Sequence, residues 1–224
     1  MIKIFKSHDE LLATVKKYLP ENPVIVEAGA FSGHDTLRMA DIWPQGIIHA
    51  FEPVPDIYQQ LLKHVEKRKN IFCYPVALSD TNGFAQIYVA YKKSGKITQA
   101  SSLHKPDARL RWSPIIFPYT ISVPTITLDT WAAQQNRDHI DFLWLDVQGH
   151  ELIIMRAAEK IMKTVKALWV EVAFAHNYEH QLLYEDVIVW LGKQKFVVIG
   201  QNFDSEKKWF FGSLLCVREP EYNI

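Results

Sequence analysis

The chain has 224 residues, 48% hydrophobic and 22% charged, which fits one α/β domain with its own core and excludes an intrinsically disordered chain. Its 25 basic and 25 acidic residues cancel, so no global attraction to nucleic acid or to an anionic membrane is expected. No apolar run nears the ~20 residues that cross a bilayer, the charged N-terminus lacks a signal peptide's apolar centre, and Cys73 and Cys216 sit in apolar runs as core thiols, so a reducing, cytoplasmic location is expected.

In chain order, Ser7 to Leu19 reads as an amphipathic helix. Ser7 is its cap, Glu10 stands at the capping-box spacing, and Leu11, Leu12, Val15 and Leu19 form the apolar face. Val24 to Gly33 follows: a short apolar strand, an acid at Glu27, and a turn bounded by Gly29 and Gly33 that opens a helix from His34 to Asp41. This is the strand–turn–helix of a nucleotide-binding unit. Gly29 can adopt backbone angles closed to other residues and leaves no side chain in a ligand's way. Gly33 sits where free helix N–H groups suit an anionic or polar ligand group. Gly46 to Glu52 is a second strand ending in an acid, and Pro53 and Pro55 lead into a helix to Lys67. Asn70 to Leu78 reads as a third strand, Ser79 to Gly83 as a turn, and Phe84 to Tyr91 as an alternating, antiparallel-type strand.

Residues 92–118 break the rhythm. They carry Lys92, Lys93, Lys96, Lys105, Arg109 and Arg111 against one acid, Asp107, and a connection of this length is usually functional or disordered. Tyr119 to Leu128 reads as a strand, Asp129 to Gln135 as a short helix, Ile140 to Asp146 as a strand ending in an acid, and Gly149 to Ala158 as a helix. Val165 to Ala173 is a strand with Glu171 near its end, and Glu179 to Lys193 a helix. Phe196 to Gly200 and Gly212 to Val217 close the chain as two strands joined by a polar turn. Alternating strands and helices imply a doubly wound, mostly parallel sheet; the closing pair, with no helix between them, implies a reversed edge strand.

Open α/β sheets bind ligands at the carboxyl ends of their strands, where Glu27, Glu52, Asp146 and Glu171 would share one crevice. Glu52 lies about twenty residues past the glycine turn, the place from which a carboxylate accepts hydrogen bonds from both hydroxyls of a ribose. An acid there argues against NADP, whose 2′-phosphate it would repel. An NAD-dependent oxidoreductase is one reading of such a sheet, although Gly-x-x-x-Gly is not the dinucleotide spacing. A binding module without catalysis is another.

Glu27-Ala-Gly-Ala-Phe-Ser-Gly33, Phe51-Glu-Pro53, Pro75-Val-Ala-Leu-Ser-Asp80, Ala100-Ser-Ser-Leu103, Thr127-Leu-Asp129 and Leu145-Asp-Val-Gln-Gly-His-Glu151 stand in the order seen in the FkbM family of S-adenosylmethionine-dependent methyltransferases. The resemblance runs from about Val24 to Phe203. Phe31 departs from it, at a place where the family often has asparagine; its side chain donates no hydrogen bond. The resemblance implies a single class I methyltransferase domain over residues 1–224, Rossmann-like, with a seven-stranded sheet and a reversed last strand. It implies that Glu27, Gly29, Ala30, Phe31, Ser32 and Gly33 cradle the methionine part of S-adenosylmethionine. Glu52 and Pro53 would meet the ribose, and Leu78 and Ser79 would border the adenine. Asp146 would face the cofactor's amino-acid end or the acceptor. It also implies O-methylation of a small polyhydroxyl acceptor, a sugar unit.

Methyl transfer to a hydroxyl needs in-line alignment and removal of a proton. Asp146, His150, Glu171 and His176 are the candidate bases, His150 because it stands one turn past Asp146 and titrates near neutral pH. Glu151 is read as a helix cap or a partner for a lysine. The same four residues mix oxygen and nitrogen donors, but no tight motif such as His-x-x-x-His accompanies them, and no metal is expected. His8 and six further histidines have no partner pattern. Residues 92–118 are read as a lid over the crevice. Ser101, Ser102, Arg109 and Arg111 would bind the acceptor there, and the basic charge suits a phosphorylated or nucleotide-linked sugar.

Overall fold

A computed structural model describes residues 2–203 and 210–219. The chain enters with strand β1 (Lys3–Ile4) and helix α1 (His8–Val15). The Ser7 hydroxyl accepts the Glu10 N–H at 3.2 Å, and the Glu10 carboxylate takes the Lys6 N–H at 3.0 Å. The helix gives way to a 3-10 turn at Lys16–Tyr18 instead of running to Leu19, because Leu19, ahead of Pro20, is extended.

β2 (Val24–Ala28), α2 (His34–Ile42), β3 (Ile47–Phe51), α3 (Pro55–Val65) and β4 (Ile71–Tyr74) form a parallel β-α-β-α-β unit. The expected strand over 70–78 divides at Pro75, which has no N–H for the ladder. β5 (Ala77–Leu78) leaves the main sheet and joins β6 (Gly83–Tyr88) and β9 (Thr120–Ile126) in a three-stranded sheet of order β5-β9-β6. Between β6 and β9 lie β7 (Tyr91–Lys92), the one-turn α4 (Arg109–Trp112) and β8 (Ile115–Ile116), with β7 and β8 paired. α5 (Leu128–Gln134) is capped by Thr127. β10 (Phe142–Leu145), α6 (Glu151–Ala157), β11 (Ala167–Ala173), α7 (Tyr184–Lys193), β12 (Phe196–Gln201) and β13 (Phe211–Arg218) complete the chain. α7 starts at Tyr184, later than the expected Glu179. The Asp186 carboxylate takes the Leu183 N–H at 2.9 Å and fixes that start. The polar turn expected between the last two strands falls on residues 204–209, outside the described residues.

The class is as expected, mixed α/β with a large, mostly parallel sheet, but two details differ. The order is β1-β12-β13-β11-β10-β2-β3-β4, so β1 adds an eighth strand. The reversed strand is not at the edge: β13 runs antiparallel between β11 and β12. Its burial explains the place, since Gly212 to Val217 are all buried and such a strand needs cover on both faces. Side chains alternate across the sheet, as in β10. Leu143 and Leu145 join one core with α5, α6 and α7, while Phe142 and Trp144 join the other with α1, α2 and α3. Fully burying each such side chain contributes about 1.5–3 kcal/mol. Cys73 and Cys216 are free thiols, the second buried.

Register places the candidate site. Ala28, Phe51, Leu145 and Val170 lie in one row across β3, β2, β10 and β11. The next row up is therefore Glu52, Gly29, Asp146 and Glu171, at the carboxyl edge. Glu27 lies two rows below that edge row's level, counted along its own strand, and so on the same face.

Candidate active site

The turn after β2 is shaped by backbone. The N–H groups of Gly29 and Ala30 both donate to the Phe51 carbonyl, at 3.1 and 3.0 Å, tying the turn to β3. Gly29 has φ +84°, and a Cβ there would stand 1.9 Å from the Asp146 carbonyl oxygen. The expectation that this glycine clears space for a ligand is thus corrected: it clears space for the end of β10. Gly33, φ +84°, caps α2, and a Cβ there would stand 2.7 Å from Leu61 of α3. Its own N–H is taken by the Ala30 carbonyl at 2.8 Å. Phe31 has φ +49°, a left-handed conformation that asparagine adopts more readily than phenylalanine.

Glu52 is buried just past β3. Its carboxylate accepts the Phe31 N–H at 3.1 Å and the Val54 N–H at 2.8 Å, one on each oxygen. A carboxylate has about four acceptor positions, so each oxygen keeps one for a ligand. Burial pushes Glu52 up to about 7 against the pull of those two N–H groups. Glu27, wholly buried, accepts the Thr36 hydroxyl; burial, with Asp35, Asp146 and Glu52 nearby, pushes it up to about 8. Asp146 is raised as well, by burial. Three carboxyls that resist ionisation in one crevice form a site that favours a cation.

The crevice measures about 900 Å³ counted out to its mouth. Of the residues expected around a cofactor, Glu27, Gly29, Ala30, Phe31, Ser32, Glu52, Pro53, Leu78 and Asp146 line it. Gly33 and Ser79 are not among the residues that line it. The stretch from Thr98 to Leu103 covers one side. That stretch is no free loop: Tyr88 and Ser102 exchange backbone hydrogen bonds, and Asp107 and Arg109 donate theirs to the Asn177 carbonyl.

His150 lines the crevice with both ring nitrogens engaged, Nε2 with the Ser79 hydroxyl and Nδ1 with His104 Nε2, each at 3.0 Å. Burial, then His104, depresses it to about 4, so it is neutral at ordinary pH. Asp146 and Glu171 are brought together through Gln148, whose amide donates to both, at 3.0 and 2.8 Å. Glu171 is raised well above the usual range by burial, Asp146 and Glu151. His176 is exposed, its Nδ1 at 3.1 Å from the Gln181 carbonyl, and the structure does not bring it to the crevice. Ser101 accepts the Ala90 N–H. The buried Ser102 hydroxyl donates to the Gln148 carbonyl at 2.8 Å and accepts the His104 N–H at 3.0 Å. Arg109 packs over the Phe211 ring, 4.5 Å from its centre, and its charge acts on Asp146 and Glu171. Arg111 points outward, 78% exposed, with Asp107 at 3.4 Å.

Sequence reasoning missed Gln148, Tyr178 and the work of Glu151. Gln148 sits inside the Asp-Val-Gln-Gly-His-Glu stretch, among its ionisable members; in the sequence the following Gly149 was the available signal of the tight turn in which Gln148 takes φ +56°. Tyr178, fully buried, donates from its hydroxyl toward the Ala100 carbonyl at 2.8 Å and Gln148 Oε1 at 3.3 Å. Glu151 accepts the Val147 and Gly149 N–H groups, so it fixes the turn before α6. Among the described residues no group of three or more His, Cys, Asp or Glu is placed to hold a metal ion.

Three comparisons bear on this arrangement. The 2-O-methyltransferase NoeI of Sinorhizobium fredii is 25% identical over 181 residues, covering 79% of this chain and 73% of that protein. A putative rRNA methylase from Clostridium thermocellum superposes with a TM-score of 0.57 at 11% identity, over 97% of each chain. Magnesium protoporphyrin IX methyltransferase from Synechocystis PCC 6803, solved with bound S-adenosylmethionine, gives 0.51 at 12% identity, over 95% of this chain and 80% of that one. Both structures share the fold. The methyltransferase FkbM domain matches residues 27–198, most of the chain, and the protein belongs to that family.

Proposed function

We propose that this methyltransferase transfers the methyl group of S-adenosylmethionine to a hydroxyl of a small, polyhydroxylated, sugar-like acceptor. S-adenosylmethionine is its methyl donor, and the crevice fits it. The observation that carries the fit is Glu52, held by two backbone N–H groups with one acceptor position left on each oxygen. Those positions match the two ribose hydroxyls. Leu78 offers apolar contact to the adenine, and the raised carboxyls of Glu27 and Asp146 complement a cationic methionine end. When bound, the cofactor supplies an electrophilic methyl on a sulfonium. The family membership sets aside the NAD-dependent oxidoreductase reading.

The acceptor reading rests on the relative named as a 2-O-methyltransferase and on the Asp146–Gln148–Glu171 row. Two carboxyls bridged by an amide offer several acceptors to the hydroxyls of a polyol. Neither carboxyl offers an anionic group a countercharge at that spot. A phosphate on the acceptor would instead meet Arg109, which we place as the acceptor contact of the lid, with Arg111 turned away.

Calorimetry with S-adenosylmethionine, S-adenosylhomocysteine and NAD tests the cofactor part: the first two should bind and NAD should not. A panel of methyl glycosides, sugar phosphates and sugar nucleotides, incubated with methyl-labelled cofactor, tests the rest, with the methylated atom located by NMR. Transfer to nitrogen or sulfur, or no turnover across the panel, would count against a sugar hydroxyl.

A further inference from the structure

His8 has no partner in the sequence, and the fold gives it one. It is the first residue of α1, which packs on α2, and its Nδ1 lies 2.7 Å from Asp35 Oδ1 in the first turn of α2. Arg38, one turn further on, holds the same oxygen at 2.7 Å. The imidazole stands edge-on to Trp144 of β10 and Trp169 of β11, with ring centres 5.1 and 6.3 Å away. Its Nε2 makes no hydrogen bond among the described residues, and the side chain keeps 37% exposure. Asp35, Trp144 and Asp146 line the crevice, His8 stands just outside that lining against Asp35 and Trp144, and its charge acts on Asp146.

The pair has the arrangement of a base and its orienting acid. Burial works against the Asp35 charge, but His8 and Arg38 outweigh it and hold the carboxyl below its usual range. An ionised carboxylate on Nδ1 fixes the proton there and leaves the Nε2 lone pair open. The other candidates are engaged: His150 at both nitrogens, and Asp146 and Glu171 with the Gln148 amide. The charged groups around the ring are Asp35 and Arg38 from α2, Asp9 and Glu10 beside it on α1, and Asp146 past β10; β11 presents Trp169.

We propose that His8, oriented by Asp35, is the catalytic base of the methyl transfer; the proposal rests on the cofactor assignment above. The acceptor's O–H proton passes to Nε2 as the oxygen's electron pair forms the bond to the methyl carbon. The carbon–sulfur bond breaks and its pair stays on sulfur, giving a neutral thioether and a methyl ether. The imidazolium then releases the Nε2 proton to solvent at its exposed edge.

Imidazole-nitrogen NMR of the whole protein across pH tests this without an acceptor. One titration uses S-adenosylhomocysteine, the other sinefungin, whose amine stands where the methyl would be. Neutral His8 should carry its proton on Nδ1. Its midpoint should lie about half a pH unit or more lower with sinefungin, because the ammonium faces it. Identical titrations in the two complexes would overturn the proposal. His8→Asn is the second arm. It should keep the parent's Tm and S-adenosylhomocysteine affinity and slow methyl transfer on the order of 10²–10⁴-fold. Parental turnover, or an affinity loss of about tenfold or more, a cofactor-contact signature, overturns it. Calorimetric failure of the parent to bind S-adenosylhomocysteine would instead mark failure of the cofactor assignment itself.

Discussion

Glu52 and Gly29 sit in the same row of the sheet yet ask for different experiments. Glu52→Ala removes the acceptors for two ribose hydroxyls, each charge-assisted bond contributing ~1.5–3 kcal/mol. S-adenosylhomocysteine affinity should fall at least about tenfold by calorimetry; an unchanged Kd would sink the ribose assignment. Gly29→Ala puts a methyl 1.9 Å from a backbone carbonyl at a positive φ. Overpacking of this kind costs about 1–3 kcal/mol or more, so Tm should drop sharply, with or without ligand. Glu52 was legible because its distance from the glycine turn is a local spacing. The reason for Gly29 was not, because its neighbour Asp146 is brought there only by the pairing of β10 with β2. Gln148 and His8 were illegible for the same reason: Glu171 and Asp35, their partners, arrive through tertiary packing.

At the scale of elements, the β-α-β-α-β opening could be read almost residue by residue, since apolar runs and capping signals are local. The insertion over 92–118 could not. Its order comes from remote contacts: the Pro106 bridge to Tyr178, the 2.7 Å Lys105–Glu179 pair, and backbone bonds to Asn177. Those same contacts occupy residues 177–179 and delay α7. Ser102 is the pin. Ser102→Ala leaves the Gln148 carbonyl and His104 N–H without their partner, a penalty of ~1–3 kcal/mol for a buried group. Thermal melting should show Tm lower by about 2–4 °C for each kcal/mol. Arg111→Ala removes only an exposed pair, worth ~0–1 kcal/mol. It should leave Tm and acceptor KM unchanged, whereas Arg109→Ala should raise KM for a phosphorylated acceptor. Equal effects of the two substitutions would remove Arg109 from the acceptor site.

For the whole molecule, the buried acids set the response to pH. Glu27, at about 8, and Glu52, at about 7, hold protons in the folded state that the unfolded chain releases near its ordinary carboxylate range. The stability they contribute is complete below that range and is lost as pH rises through 7 and 8. His49 and His150, both depressed to about 4, act oppositely, but only below about 6.5, where the unfolded imidazole charges. From about pH 6.5 to 8.5, then, Tm of the ligand-free protein should fall, with the acids alone responsible. A cationic ligand reverses their preference: it lowers their midpoints, expels their protons and binds more tightly as pH rises. The direct test is calorimetry of S-adenosylmethionine at about pH 6.5 and 8.5, each in two buffers of different ionisation heat. One molecule should bind per chain, more tightly at the higher pH, with protons released at the lower. Affinity and heat that ignore both pH and buffer, or no binding at all, would contradict the assignment of this acidic crevice as the cofactor site.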